Sequence, residues 1–220
     1  MSKLNEIGLK LGTDKSSKIH GYLKKYEKYL PYKREEPLKI LEIGVLNGES
    51  LRTWKEYFFN SEIVGIDINP DCKLHEEERI NIEIGSQVDN IFLDNVIEKY
   101  GQFDMIIDDG SHINSHIIYS FKKLFDVVKP QGIYIAEDIC TSYWEDYGGK
   151  LRTKGSAIEF FKEVIDEVNY FGELQEHYPN VHARNEETLD YQFKLKGYNY
   201  IGTKIESINF MNGFVLITKK

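Results

Sequence analysis

Cysteine is nearly absent: Cys72 and Cys140 are the only two in 220 residues, and they form no C-x-x-C or zinc-ribbon spacing. A disulfide framework and a thiolate metal site are therefore unsupported, and a reducing cytoplasm is the expected compartment. Positive charge is also short. Against 36 Asp and Glu there are 28 Lys and Arg, a formal balance of −8 with no basic stripe interleaved with aromatics. A nucleic-acid backbone would be repelled, so nucleic acid is not an expected partner. Lys15, Lys18, Lys24, Lys25 and Lys28 do cluster, but they alternate with Tyr and Glu, the pattern of a solvated helix face. No run approaches the roughly 20 apolar residues that cross a bilayer, and MSKLNEIGLKLG lacks the apolar core of a signal peptide. A soluble protein with no membrane partner is expected. There is no internal repeat and no low-complexity linker.

What is present suits a folded domain, with 41% apolar and 29% charged residues. From Ser17 to Leu30, Ile19, Tyr22, Leu23, Tyr26, Tyr29 and Leu30 recur at helical spacing, and Pro31 ends the pattern. Short apolar strands follow, KILEIGV, EIVGIDI and INIEIG, alternating with helices over about 49–59 and 89–100. Next come the strand FDMIID, a helix through 113–128, the turn Lys129-Pro130-Gln131-Gly132 and the strand IYIAED. A helix runs from Ser156 to about Phe171, and two strands, YNYIGTKI and GFVLITK, form a hairpin about Met211-Asn212-Gly213. Repeated β-α alternation implies an α/β fold: a mostly parallel sheet with helices on both faces. The tract 172–197 yields no assignable element. One domain over 1–220 is the expectation.

The first strand ends in LEIGVLNGES, placing Glu42, Gly44 and Gly48 where the backbone must turn close to something bound. A dinucleotide fingerprint needs G-x-G-x-x-G, but Leu46 and Glu49 occupy two of the glycine positions. A ligand without pyrophosphate fits better. Asp67 ends the second strand, where a carboxylate can accept both hydroxyls of a ribose or simply cap backbone N–H groups.

The stretch FDMIIDDGSHINSH carries the densest polar cluster. A right-handed crossover sets FDMIID beside IYIAED, about 5 Å apart, so Asp109, Glu137 and Asp138 converge. Clustered carboxylates repel one another unless a cation or protons intervene. An oxygen-liganded Mg²⁺ or Mn²⁺ is the economical answer. His112 and His116 have the spacing of two zinc ligands on one helical face. His112 falls at the loop-to-helix junction facing the strand ends, whereas His116, one turn inside the helix, is expected to be packed or solvated.

The glycine loop, Asp67, the carboxylate cluster and the terminal hairpin resemble the class I S-adenosylmethionine-dependent methyltransferases. That resemblance implies a Rossmann-like seven-stranded sheet of order 3-2-1-4-5-7-6 with the last strand antiparallel. It also implies that the Gly44, Asn47, Gly48 loop wraps the methionine part of the cofactor, that Asp67 meets the ribose, and that Ser86 and Gln87 lie by the adenine. Asp108 would line the cofactor side of the cleft. More narrowly, GTDK at 12–15, HGY at 20–22, LEIGVLNGES, GIDI, IDDGSH and EDICTSYW resemble the sugar O-methyltransferases of the mycinamicin and macrocin type. This second resemblance implies Mg²⁺ on Asp109, Glu137 and Asp138, with His112 as general base, and leaves 1–36 as a helical lead-in over the active site. His20, Tyr22, Tyr143 and Trp144 are candidate acceptor contacts. A homo-oligomer is expected by resemblance alone.

The expected activity is methyl transfer to a sugar hydroxyl, on a glycoside, nucleotide sugar or surface-polysaccharide precursor. The macrolide enzymes carry a further N-terminal domain, whereas fewer than 40 residues precede the first strand of this chain, so their assembly and acceptor selection do not carry over. A catechol-type enzyme is the near alternative, although that type uses a lysine where this chain has His112. A metal-dependent hydrolase or hydroxylase on the two histidines, and a cofactor-binding regulator, are the alternatives from other classes.

Overall fold

The structure, a computed structural model, describes residues 2–169 and 201–220. The tract 172–197 lies outside the described residues. Two helices lead, α1 (Lys3–Leu11) and α2 (Tyr22–Tyr29). Alternation then begins with β1 (Lys39–Ile43), α3 (Glu49–Tyr57), β2 (Glu62–Asp67), β3 (Ile80–Ile84) and α4 (Asn90–Tyr100). It continues through β4 (Phe103–Asp108), α5 (Asn114–Leu124), β5 (Val128–Ala136) and α6 (Ala157–Val168), and ends in β6 (Ile205–Met211) and β7 (Phe214–Lys219).

These seven strands form one sheet in the order β3-β2-β1-β4-β5-β7-β6. The first five are parallel, while β7 runs antiparallel to both β5 and β6. This is the Rossmann-like methyltransferase order that the sequence implies. Alternation along each strand divides the core in two. Ile40, Ile63, Met105, Ile107, Ile133 and Ile135 pack with Leu4 and Ile7 of α1, Leu23 and Tyr26 of α2 and Trp54 of α3. On the other face Leu41, Ile43, Ile106 and Tyr134 pack with Leu93 and Val96 of α4, Phe121 of α5 and Phe161 of α6. Among the described residues no helix is long and apolar enough to cross a membrane.

Three boundaries differ from expectation. The leading helix starts at Tyr22 rather than Ser17, because residues 13–20 make turns and Gly21, in a left-handed conformation, caps α2. Helix α1 was not foreseen, although Ser2 caps it by accepting from Asn5 N and Gly12 closes it with a φ of 88°. Of the expected strand YNYIGTKI, residues 198–200 lie outside the described residues, and β6 begins at its last residue, Ile205. Gly202–Lys204 is a 3₁₀ turn, tied to α6 where Gly202 N donates to Glu167 Oε2 at 3.1 Å.

Candidate active site

Strand register builds the site. Ile43 pairs with Ile66 and Asp108, and Asp108 with Ala136, so one row of residues closes β1, β2, β4 and β5. The next residue on each strand, Gly44, Asp67, Asp109 and Glu137, emerges at the carboxyl edge, where ligands of open α/β sheets bind. The ladder reaches this row, since Asp109 N donates to Ile43 O and Glu137 N to Asp108 O, each at 2.9 Å. Alternation gives Asp109 and Glu137 the same side as Ile107 and Ile135, and Glu42 the same side as Ile40, all toward α1–α3. Asp108 goes to the opposite side.

On the α1–α3 side the carboxylates meet a lysine. Lys15 Nζ pairs with Asp109 Oδ2, with Glu137 Oε2 at 2.9 Å and with Glu42 Oε1 at 3.4 Å. Lys15 was expected on a solvated helix face, yet it is only 2% exposed. The turns at 13–20 carry it inward. Burial opposes its charge, but Asp109, Glu137 and Glu42 together hold the ammonium well above its ordinary pKa. Tyr26 Oη donates to Glu137 Oε1 and Trp54 Nε1 to Glu42 Oε2. Burial, added to by Asp109 and opposed by Lys15, pushes the Glu137 carboxyl well up. Glu42 is raised too, by burial. Among the described residues its Oε1 has no hydrogen-bond partner beyond the 3.4 Å ion pair with Lys15. One ammonium thus serves three carboxylates, and Glu42, a cofactor contact in the sequence reading, is sealed behind the site by burial.

Asp108 is solved differently. It is 1% exposed and accepts from Gln87 Nε2 at 3.1 Å and Tyr134 Oη at 3.3 Å, with no ion-pair partner among the described residues. Burial pushes its pKa up to about 7, against the pull of these donors and Gly110 N. Asp108, read from the sequence as lining the cofactor side of the cleft, is buried behind Gln87, which itself lines a cavity with Asp67 and Ser86.

The glycine loop lies across this edge. A Cβ on Gly44, whose φ is 95°, would sit 2.1 Å from Asp109 O, so only glycine lets β1 and β4 end this close together. Gly48, at φ 75°, starts α3, and Asn47 between them is exposed, its carbonyl accepting from Arg52 at 2.6 Å. Asp67 Oδ2 accepts from Val45 N at 2.8 Å and Leu46 N at 3.3 Å, and Oδ1 from Asn69 N at 2.9 Å. Partial burial raises the Asp67 carboxyl, but these N–H groups outweigh it and hold the pKa below the ordinary value. Asp67 therefore caps the loop, and it also lines two cavities. One, of about 250 Å³, is lined by Asp14, Gly44, Leu46, Asp67, Asp109, His112 and Asp138. The other, of about 210 Å³, is lined by Gly44, Asp67, Ile68, Ser86, Gln87 and His116. Gln87 ties the second cavity to the β4 loop, since its Oε1 accepts from Ser111 N at 2.8 Å.

His112 and Asp138 both adopt left-handed backbone, with φ of 57° and 48°, uncommon for residues other than glycine. Each is held. Thr141 Oγ1 donates to His112 O at 2.8 Å, and Tyr22 Oη donates to Asp138 Oδ1 at 2.7 Å. His112 Nε2 lies 3.8 Å from Asp138 Oδ2 and 4.0 Å from Asp109 Oδ1. Asp109, His112 and Asp138 each offer a ligand atom within 4.8 Å of the others, a group able to hold a metal ion. Glu137, expected in this group, keeps both oxygens on Lys15 and Tyr26. His116 is apart from the group as well: its Nδ1 bonds Ser111 Oγ at 2.8 Å. Among the described residues the pair of histidines needed for the hydrolase alternative does not form a metal group.

A third cavity, of about 350 Å³, opens on the far side of His112 and Asp138, lined by Ile19, His20, Tyr22, Cys140, Trp144, Tyr147 and Gly213 among others. His20, Tyr22 and Trp144 thus gather as expected. Tyr143 does not, because 139–143 is a 3₁₀ turn whose successive side chains diverge, and it faces a separate groove with Leu151 and Phe210. Sequence reasoning missed Lys15, Tyr26 and Tyr147. GTDK was noted as a motif, but the direction of its lysine follows only from the turn.

The strand order, the glycine loop and the strand-end carboxylates define a class I S-adenosylmethionine-dependent methyltransferase fold. No family model matches the sequence. The mycinamicin VI 2''-O-methyltransferase of Micromonospora griseorubida is 37% identical over 178 residues, 76% of this chain and 44% of the relative. The demethylmacrocin O-methyltransferase of Streptomyces fradiae is 40% identical over 177 residues, 76% of this chain and 45% of the relative. Among solved structures, the MycE methyltransferase of the mycinamicin pathway, in complex with Mg and SAH, superposes with a TM-score of 0.83 at 30% identity, covering 98% of this chain and 54% of that one. The chain is a homologue of the sugar O-methyltransferases of the mycinamicin and macrocin type, and it spans less than half the length of these two sequence relatives.

Proposed function

We propose that the chain is an S-adenosylmethionine-dependent, Mg²⁺-dependent O-methyltransferase acting on a sugar hydroxyl, with His112 as general base. One observation carries this reading: the cavity beside the glycine loop and the aromatic cavity meet at the same two residues, His112 and Asp138. A donor bound along Gly44 and Asp67 and an acceptor bound between Tyr22 and Trp144 would face each other there. The relatives named above are O-methyltransferases of mycinamicin VI and demethylmacrocin, another relative is named for an L-olivosyl-oleandolide acceptor, and one solved structure holds Mg, SAH and mycinamycin VI together.

The residues fit a hard divalent ion. Asp109 and Asp138 supply oxygen donors, and the carboxylates around them exceed the single ammonium of Lys15. Such an ion supplies positive charge that favours the deprotonated form of a nearby hydroxyl. Everything else falls to the chain. The imidazole of His112 takes the hydroxyl proton at Nε2, the acceptor oxygen forms a bond to the methyl carbon, and the carbon–sulfur bond of the sulfonium breaks in line. Asp109 and Asp138 flank that imidazole and stabilise its protonated form. Trp144, Tyr147 and Tyr22 offer flat apolar surface to a sugar ring, and 350 Å³ lies at the lower end of small-molecule sites.

A screen of glycosides, nucleotide sugars and polysaccharide precursors with labelled methyl donor and Mg²⁺, read by product mass, tests the reading. Transfer to at least one sugar is expected, and His112→Ala is expected to lower turnover by about 10²-fold or more while leaving S-adenosylhomocysteine binding intact. Undiminished turnover in His112→Ala removes its role as base.

A further inference from the structure

Among the described residues Lys15 is the one cation paired with the carboxylates of the site's inner side, and its placement is costly. A lysine is seldom buried unless paired, and this one is 2% exposed with its Nζ shared among Glu42, Asp109 and Glu137. Asp109 is the hinge of the arrangement. Its Oδ2 faces Lys15, while Oδ1 faces the outer group with His112 and Asp138. Glu137 is turned the same way, one oxygen to Lys15 and the other to Tyr26. Any cation at the outer group therefore shares Asp109 with Lys15. Glu137 can join the outer group only by releasing Lys15 or Tyr26.

We propose that Lys15 is a positioning residue that acts as a built-in counter-cation: it holds Asp109 and Glu137 in place before a divalent ion arrives and, by competing for the same carboxylates, sets how tightly that ion binds. The inference rests on the metal reading above. Two consequences follow with opposite signs. Without Lys15 the metal-free chain carries three converging carboxylates, Glu42 and Glu137 buried and Asp109 partly so, and loses stability. The same loss makes the site one charge more negative, so a divalent cation binds more tightly. A lysine that merely filled space would weaken metal binding when removed, because the site would lose its order. The sign of the change in affinity separates the two roles.

The test uses the full chain and Mn²⁺ alone, titrated by calorimetry after removal of bound metal. Lys15→Met keeps most of the volume and removes the charge, and its Kd for Mn²⁺ is expected to fall on the order of tenfold or more. An unchanged or higher Kd overturns the proposal. If Lys15→Met does not fold, the charge-balanced double variant Lys15→Met/Glu42→Gln removes the buried pair together, a change such sites often tolerate. A Kd equal to or below that of the wild type supports the proposal there, and a higher one overturns it. Wild-type chain that binds no Mn²⁺ overturns the metal reading itself. Binding by the wild type with no tightening in Lys15→Met, or with weakening in the double variant, overturns this inference alone.

Discussion

Asp108 and Asp109 are neighbours in sequence and opposites in structure. The strand's alternation sends Asp108 to the α4–α6 side, where neutral donors, Gln87 and Tyr134, satisfy it and its pKa rises to about 7. Asp109 goes to the α1–α3 side, where it joins Glu42 and Glu137 around a buried ammonium and keeps 19% of its side chain exposed at the cleft. One side of the sheet edge contains a carboxylate by hydrogen bonding and burial. The other accumulates carboxylates beyond what its lysine neutralises and opens the surplus toward a cavity. The contrast teaches which carboxylates are available for chemistry: an acid closed in by neutral donors is structural, whereas acids left in excess beside a cleft are poised to take a cation.

Substitutions on the two sides should therefore differ in size. The largest effect is expected from Lys15→Met in the metal-free chain, which leaves buried carboxylates without their cation and should cost about 3–5 kcal/mol in urea unfolding with chelator present. Trp54→Phe removes the donor to Glu42 Oε2 while keeping an aromatic ring. A loss of about 1–3 kcal/mol in the same measurement is expected, because the buried Glu42 Oε2 loses its hydrogen-bond donor. Tyr134→Phe, across the sheet, takes a weaker donor at 3.3 Å from Asp108 and should cost about 1 kcal/mol. Asp108→Asn should fall within about 0.5 kcal/mol of wild type, since an amide accepts from Gln87 and carries no charge to bury. A loss for Asp108→Asn as large as that for Lys15→Met would dissolve the contrast.

Much of the fold was legible because its signals are local and repeated. Apolar strands alternating with helical spacing imply crossovers, and crossovers fix which strand ends meet, so the sequence alone puts Asp109, Glu137 and Asp138 beside the Gly44 loop. Burial was harder to read. Glu42 and Asp108 sit at strand ends beside the other candidate site residues, and only the pairing with Trp54, Lys15, Gln87 and Tyr134 shows that packing closes over them. Lys15 was misread for the same reason at a larger scale. Ile19 to Leu30 has helical spacing, and extending that helix toward the N-terminus puts its lysines in solvent, whereas Gly21 breaks it and the turns at 13–20 point Lys15 into the sheet edge. Strand β6 was placed early because YNYI is rich in β-forming residues, but residues 198–200 lie outside the described residues and the strand that pairs with β7 is Ile205–Met211.

The claim that the two sides of this edge have different tasks is tested most directly by one paired Mn²⁺ titration of Asp108→Asn and Asp109→Asn. Asp108→Asn is expected to bind Mn²⁺ as the wild type does, and Asp109→Asn to lose binding by about a hundredfold or more, as removal of a charged ligand from a hard-ion site requires. Equal losses in both variants, or a loss confined to Asp108→Asn, would contradict the account.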